Sequence, residues 1–194
     1  MLFGFALFAS MIGTASFVET PAIAGYGFGA SVVVGGLTML PSGIAMLIVS
    51  PLTARLITAW GPSFTLSLGA LVVAAGWVYR IFAVGSLTEV IIGSAIIGIG
   101  TGIGYAAIPS LINAHTPPSE IAAANGLNSL FRSLGSSLAA AIGASILAAN
   151  TVLLGAVAIP SLSAYRILFV ICAVASLCAA IIVLFIPRTK RAIA

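Results

Sequence analysis

The sequence predicts an all-α membrane protein in which six transmembrane helices form a single bundle across residues 1–194. Of the residues, 61% are hydrophobic and only 5% are charged, whereas a soluble domain carries about 25% charged residues on its surface. The mean hydropathy is correspondingly high, at +1.29. The apolar runs last about 20 residues and lack strict alternation, which favours helices over the strands of a barrel.

The boundaries of the six spans follow from turn residues and charges. The first run, MLFGFALFAS and its continuation, lacks the basic segment of a signal peptide and is too long for one. Because this run begins abruptly, we expect a chain cut from something longer. Pro41 and Pro51 lie inside the second span, and Pro187 stops the sixth. The predicted spans are 2–22, 31–54, 64–83, 88–112, 119–148 and 164–186.

Charged and aromatic residues predict the orientation. With six spans both termini lie on one side, and a cytoplasmic placement puts four cations inside and two outside. The inner cations are Arg55, Arg188, Lys190 and Arg191, and the outer ones are Arg80 and Arg166. Trp60 is expected at the inner membrane boundary, and Trp77, Tyr79 and Tyr165 at the outer boundary. The sequence thus predicts an integral protein of a bacterial plasma membrane with cytoplasmic termini.

Composition argues against several function classes. The cations are scattered singly apart from the C-terminal cluster, so no nucleic-acid partner is expected. Cys172 and Cys178 are interpreted as thiols within one apolar helix, and a single histidine, His115, offers no metal cluster. No nucleophile and base can be brought together near mid-membrane. We therefore expect neither an enzyme nor a cofactor or metal.

The segment GIGTGIG in the fourth span resembles a nucleotide-binding loop only superficially. It lacks the third glycine of that pattern and has no preceding strand. Gly98 with Gly102, and Gly100 with Gly104, instead form two overlapping pairs of small residues spaced four apart. Such pairs let helix backbones approach closely, so we predict a helix-packing role.

Polar residues inside the spans are the candidates for a substrate path, because ionisable and amide groups in a membrane mark pathways by default. For each hydroxyl, an interhelical or backbone hydrogen bond remains the simpler interpretation. The candidates are Arg132, Asn128, Asn125, Glu19, Thr101 and Tyr105.

Arg132 is the most unusual of these candidates. Counted from Glu120, it lies roughly 18 Å along the fifth helix, which is deep in a hydrocarbon core of about 30 Å. On the helical wheel, polar and small residues share its side of the helix, whereas the leucines lie opposite. We expect the polar stripe to face protein or a water-filled cleft. Two roles are compatible with this position: a fixed link between helices, or an ion pair that re-forms differently in the two access states.

Two longer stretches resemble the major facilitator superfamily. Residues 36–69 are similar to the second helix, tight loop and third helix of a major facilitator half, with PLTARL followed by Gly61 as the loop motif. The motif residues are Arg55 and Gly61, and the acidic residue often found there is missing. Residues 93–143 resemble the next two helices, and NGLNSLFRSLG is most similar to the drug–proton antiporter branch.

The resemblance implies the C-terminal six-helix half of a transporter, built from two inverted three-helix repeats. Its first and fourth helices would line a cavity, the second and fifth would face the other half, and the third and sixth would face lipid. The implied function is proton-coupled efflux of small amphipathic or drug-like compounds by alternating access. The expected partners are lipid, a small-molecule substrate, protons, and an N-terminal half or a second copy. The alternative is a truncated half or membrane assembly partner that does not transport alone.

Overall fold

Residues 1–186 of the protein are described by a computed structural model, in which six helical segments are long and apolar enough to cross a membrane. This confirms the predicted class of an all-α membrane protein with six spans. One span is broken in two, since α2 and α3 together cover Val32–Trp60. The α-helices are α1 Leu2–Glu19, α2 Val32–Leu37, α3 Leu40–Trp60, α4 Pro62–Phe82, α5 Leu87–His115, α6 Ile121–Ala149 and α7 Leu162–Leu184.

Helix ends differ from the predicted spans where local chemistry decides them. Helix α1 ends at Glu19 because Thr20, which precedes Pro21, adopts an extended conformation with ψ of 130°. Helix α3 continues six residues past the predicted end at position 54 and stops only at Gly61. Gly61 has a φ of 86°, which favours glycine, and Pro62 begins α4 at once. A single residue therefore joins α3 to α4.

The helices pack in a pattern that repeats between the two halves of the chain. Helix α4 packs on α5 and α7, while α3 packs on α5 and α1 packs on α6. Exchanging the first three spans for the last three converts the α3–α5 contact into the α6–α1 contact. The same helix pairing therefore occurs in both halves of the chain, as two inverted three-helix repeats would give.

The end of the bundle opposite Gly61 carries a small hairpin, so we call it the hairpin end. Strands β1 (Thr151–Leu154) and β2 (Val157–Pro160) pair antiparallel, with Leu154 opposite Val157. They lie between the fifth and sixth predicted spans. Tyr26, in the loop after α1, donates a hydrogen bond to the carbonyl of Pro160, and partial burial raises the pKa of Tyr26 above its usual range.

Two aromatic residues assigned to the membrane boundary have side chains that are buried in the protein core. Trp77 and Tyr165 are 0% and 1% exposed, because α5 and α7 cover the last turns of α4 and α1 covers the start of α7. The ring of Phe169 lies 5.5 Å from that of Trp77, and Phe17 packs edge-on against Tyr165 at 5.1 Å. Their depth at the membrane boundary stays a prediction, but both side chains face the protein interior and not the lipid.

Candidate functional site

Helices α3 and α6 are the least buried spans of the bundle. Large apolar side chains of α6, including Leu127, Leu130 and Leu134, are exposed on its outer face. These are the second and fifth spans, and we call their exposed residues, Arg132 among them, the exposed surface of α3 and α6.

Three of the predicted residues come together beside this surface. Asn128, Arg132 and Tyr105 line a cavity of about 60 Å³, and the guanidinium carbon of Arg132 lies 5.5 Å from the centre of the Tyr105 ring. A cation over an aromatic face at this distance is attracted by the ring's quadrupole. The rest of the cavity wall is formed by Met1, Phe3, Gly4, Ile108 and Pro109.

Helix α1 crosses α6 directly beneath this cavity. A β-carbon at Gly4 would collide with the backbone carbonyl of Arg132, so the two helices touch through their backbones there. The Ser136 hydroxyl donates to the carbonyl of Gly4 at 3.4 Å. Gly135 and Ala139, on the predicted small-residue stripe, are buried at this crossing, whereas Arg132 itself is exposed. The stripe thus divides into a part that packs on α1 and a part that faces outward.

A second, larger depression adjoins the cavity through Tyr105. It has a volume of about 430 Å³ and opens on the exposed side of α3 and α5. Its walls are mostly apolar, and a ligand in it could extend towards Arg132 along the tyrosine ring. The lining residues are Gly43, Met46, Leu47, Ser50, Gly102, Tyr105 and Ala106.

The other polar candidates lie outside this pair of cavities. Asn125 donates to the side chain of Asn113 at 3.3 Å and to the carbonyl of Ile121 at 3.0 Å, so it links α6 to α5 near the Gly61 end. Thr101 is buried and donates to the carbonyl of Ile97, within its own helix, at 2.7 Å. Glu19 is the last residue of α1 and lies beside Gly35 at the hairpin end.

The glycines of GIGTGIG contact three different helices. A β-carbon at Gly98 would lie 2.5 Å from the Ser42 carbonyl of α3, and one at Gly102 would lie 2.8 Å from Val49 of the same helix. At Gly100 it would lie 2.6 Å from the Gly69 carbonyl of α4. At Gly104 it would collide with the ring of Phe3, in α1. Helix α5 therefore packs closely against α1, α3 and α4 through these glycines.

The two residues of the loop motif lie at the Gly61 end, away from the cavities. Arg55 is an exposed residue in the last two turns of α3, rather than in a loop as the predicted span boundary placed it. Gly61 forms the sharp connection to α4. Gly61 accounts for the tight turn, and neither residue lines the two cavities.

Arg80 is the polar residue that the sequence analysis missed. It was assigned to the outer surface, but it is 0% exposed and lies among α1, α4, α5 and α7. Its Nη1 donates to the Thr14 hydroxyl at 2.8 Å and lies 3.5 Å from the Ser94 hydroxyl. Its guanidinium carbon lies 4.8 Å from the centre of the Phe169 ring. The prediction failed because a cation in the last turn of a membrane helix was assumed to reach the surface.

The chain is similar to a known family in sequence and to a solved structure in fold. The profile of the Major Facilitator Superfamily matches residues 1–194. Among solved structures, a peptide transporter POT, a glutamate-to-glutamine mutant in complex with alafosfalin, is similar with a TM-score of 0.73 and 16% sequence identity. The match covers 94% of this chain and 35% of that chain, so the chain spans about a third of that transporter's length. No curated protein matches the sequence.

Proposed function

The chain belongs to the major facilitator superfamily, and from this membership we propose that it forms the C-terminal six-helix half of a secondary transporter working by alternating access. It is an integral membrane protein, as the six apolar helices and the family together show. The proposed activity is proton-coupled efflux of small amphipathic or drug-like compounds. The segment NGLNSLFRSLG, which resembles the drug–proton antiporter branch, supports this choice of branch.

The proposed site rests on the convergence of three polar residues at one cavity. Arg132, Asn128 and Tyr105 converge at a small cavity that continues into an open, largely apolar depression of about 430 Å³. A small-molecule site commonly combines apolar walls with a few convergent polar groups. The polar groups would orient one end of an amphipathic substrate, and the apolar walls of α3 and α5 would accept its body.

The exposure of α3 and α6 supports the proposal that a second helical bundle packs against them. These two spans are much less buried than the other four, and an amide and a guanidinium on such a surface are costly in lipid. We propose that an N-terminal half, or a second copy of this chain, covers them. The chain's three glutamates lie at or near helix ends, at Glu19, Glu89 and Glu120. A second copy would carry the same three glutamates, so we place the proton-coupling acids in an N-terminal half.

The similarity to a peptide transporter favours a second candidate substrate class. That protein was solved with alafosfalin, and a peptide-like compound has a carboxylate-type end that Arg132 could bind through parallel N–H groups. An apolar peptide side chain could then occupy the depression beside Met46 and Leu47. Competition between drug-like cations and dipeptides in the same transport assay distinguishes the two classes.

The proposed site is tested by separating folding from transport. In the complete transporter, Arg132→Lys and Arg132→Met should leave the folded yield normal and reduce substrate-dependent proton flux in vesicles at least tenfold. Arg166→Met, which removes an exposed cation of α7, is the matched control and should transport normally. Lost yield in both variants indicates a structural staple, and normal transport in Arg132→Met rules out the site. The chain purified alone should show no substrate-dependent proton flux, and such flux would identify a functional homodimer.

We also propose that both termini are cytoplasmic. With Arg80 buried, the hairpin end retains Arg166 as an exposed cation, whereas Arg55 lies at the other end. The further cations Arg188, Lys190 and Arg191 lie outside the described residues. Topology reporters fused after Arg191 and within residues 150–163 should report opposite sides of the membrane, and agreement between them would overturn this orientation.

A further inference from the structure

The hairpin between α6 and α7 is apolar on both of its faces. Residues 151–160 read TVLLGAVAIP, with a single polar side chain and no charge. In the antiparallel register Val152 lies opposite Ile159, and Leu153 lies opposite Ala158. Paired residues point to the same face of a hairpin and successive residues to opposite faces, so each face carries apolar side chains. A hairpin with one face in water would alternate apolar with polar residues.

The protein covers only part of this apolar hairpin. Ile159, next to the last residue of β2, is 8% exposed. Leu153, on the other face, is 78% exposed, and Val157, beside the turn, is 62% exposed. A contiguous apolar surface of this kind marks a contact with a second apolar surface or phase.

The base of the hairpin is fixed to the end of the bundle. The amide of Ser161 donates to the carbonyl of Asn150 at 2.8 Å and so closes the two strands where they leave α6 and enter α7. The Tyr26 hydroxyl donates to the carbonyl of Pro160. A half-buried tyrosine at this place is typical of a membrane–water interface, where the ring is in apolar surroundings and the hydroxyl is hydrogen-bonded.

The length of α7 places that base close to the hydrocarbon boundary. Helix α7 has 23 residues, Leu162–Leu184, and is therefore about 34 Å long, whereas the hydrocarbon core is about 30 Å thick. Arg166 is exposed in the second turn of α7, where an arginine reaches the lipid headgroups with its long side chain. The hairpin base thus lies in the interfacial layer, which is roughly 5–8 Å thick on each side of the core.

The free edges of the hairpin restrict it to that layer. The two strands have no further neighbouring strand within the described residues, so each has an outer edge of unpaired backbone groups. Such groups are costly in hydrocarbon and are satisfied by water and headgroups at the interface.

Lipid accounts for the exposed side chains better than a protein partner does. Exposed apolar residues continue from the hairpin onto α7, at Ile167 and Val170, so the hairpin adjoins a surface that a membrane protein presents to acyl chains. The outer rim of a protein–protein interface is typically polar, and the hairpin offers no polar side chain there beyond Thr151.

From this composition and depth we propose that the hairpin occupies the membrane–water interface and inserts Leu153 and Val157 among the acyl chains of the leaflet at the hairpin end. Its free backbone edges would face headgroups and water. The contact would anchor the end of α6 and the start of α7 in that leaflet. The proposal rests on the chain being an integral membrane protein, and it does not depend on a transport function or a substrate.

Nitroxide spin labels on the hairpin test the proposal. Leu153→Cys and Val157→Cys are labelled one at a time in a protein that carries Cys178→Ala, because Cys178 is exposed whereas Cys172 is buried. The protein is reconstituted into phospholipid vesicles. Collisions of each label with oxygen, which concentrates in lipid, are then compared with collisions with a water-soluble nickel chelate.

Two further label sites calibrate the measurement. Val170→Cys, exposed on α7, serves as the lipid control, and Ser119→Cys, exposed in the turn between α5 and α6, serves as the water control. The ratio of oxygen to nickel collisions at Leu153 and at Val157 should be close to that at Val170. It should exceed the ratio at Ser119 at least about tenfold, as the preference of a leucine-sized side chain for apolar surroundings implies.

Two results would overturn the proposal. A ratio nearer to that of Ser119 at either hairpin site would show that the hairpin projects into water. Few collisions with either reagent would show that protein covers the hairpin, and would assign this surface to a partner bundle instead of lipid.

Discussion

Arg132 and Arg80 are both arginines on membrane-spanning helices, yet they lie in opposite environments. Arg132 is near the middle of α6 but exposed, above the ring of Tyr105. Arg80 is two residues from the end of α4 but fully buried among four helices. Position along a helix therefore gives the depth at which the backbone sits, whereas burial depends on which helices cover that face. Depth in the membrane and burial in protein are therefore independent properties of a residue, and one does not predict the other.

The largest expected effect is the loss of stability on truncating Arg80. Arg80→Ala should lower the free energy of unfolding by about 2–5 kcal/mol, because it leaves a large cavity among packed helices. Arg80→Met should recover at least half of that loss, since methionine fills the space and carries no charge. Arg132→Ala should cost less than about 1 kcal/mol, the usual value of an exposed cation–π contact. Thermal unfolding in detergent measures all three, and equal losses at the two arginines would refute the distinction.

A smaller effect is expected at the glycine that accommodates Arg80. In Gly93→Ala the new methyl group would collide with the Arg80 stem, and overpacking of this kind costs about 1–3 kcal/mol. Gly126→Ala on α6 is the control, because its β-carbon would meet nothing within 4 Å. The double variant Gly93→Ala, Arg80→Ala should be more stable than the sum of the single losses predicts. Simple additivity would show that Gly93 acts independently of Arg80.

The smallest expected effect is the difference in stability loss between valine substitutions at two fully buried threonines, Thr14 and Thr101. Thr14→Val removes the acceptor of Arg80 Nη1 and should cost about 1.5 kcal/mol, as hydrogen bonds to charged groups do. Thr101→Val removes a bond to the backbone of its own helix and should cost less than about 0.5 kcal/mol. Because the two exchanges are isosteric, chemical unfolding of both variants side by side compares the hydrogen bonds directly. A larger loss at Thr101 would point to a role for that hydroxyl beyond its helix.

The sequence was sufficient for the six spans because hydrophobic length is a local property. The ends of α3 were harder, since Arg55 suggested a loop while the helix continued to Gly61. At the candidate site, Arg132 and Asn128 were predicted from one helix, and Tyr105 joins them from α5. Thr101 and Glu19 were predicted on the same ground, as polar residues inside apolar spans, but they lie away from the cavity. Which polar groups meet depends on which helices pack against each other, and a single span does not show this. The functional role of all these residues stays a prediction.

Arg80 carried a signal that the sequence analysis did not use. Side chains on an α-helix lean towards its N-terminus, so an arginine in the last turn of α4 leans back into the membrane. The hydroxyls that receive it, Thr14 and Ser94, and the glycine that makes room for it, Gly93, are on α1 and α5. Those partners depend on helix packing, which one sequence without its fold does not reveal.

The one-residue connection at Gly61 has a mechanical consequence. A connection of one residue cannot extend, so tension applied to α3 is transmitted directly to α4 through the backbone of Gly61. By contrast, eleven residues, 20–30, separate α1 from the N-cap of α2 and provide slack. We expect that drawing the chain out of a bilayer with a force probe extracts α3 and α4 together in one step, while α1 leaves in a step of its own. Separate steps for α3 and α4 would show that the joint unfolds before it transmits force.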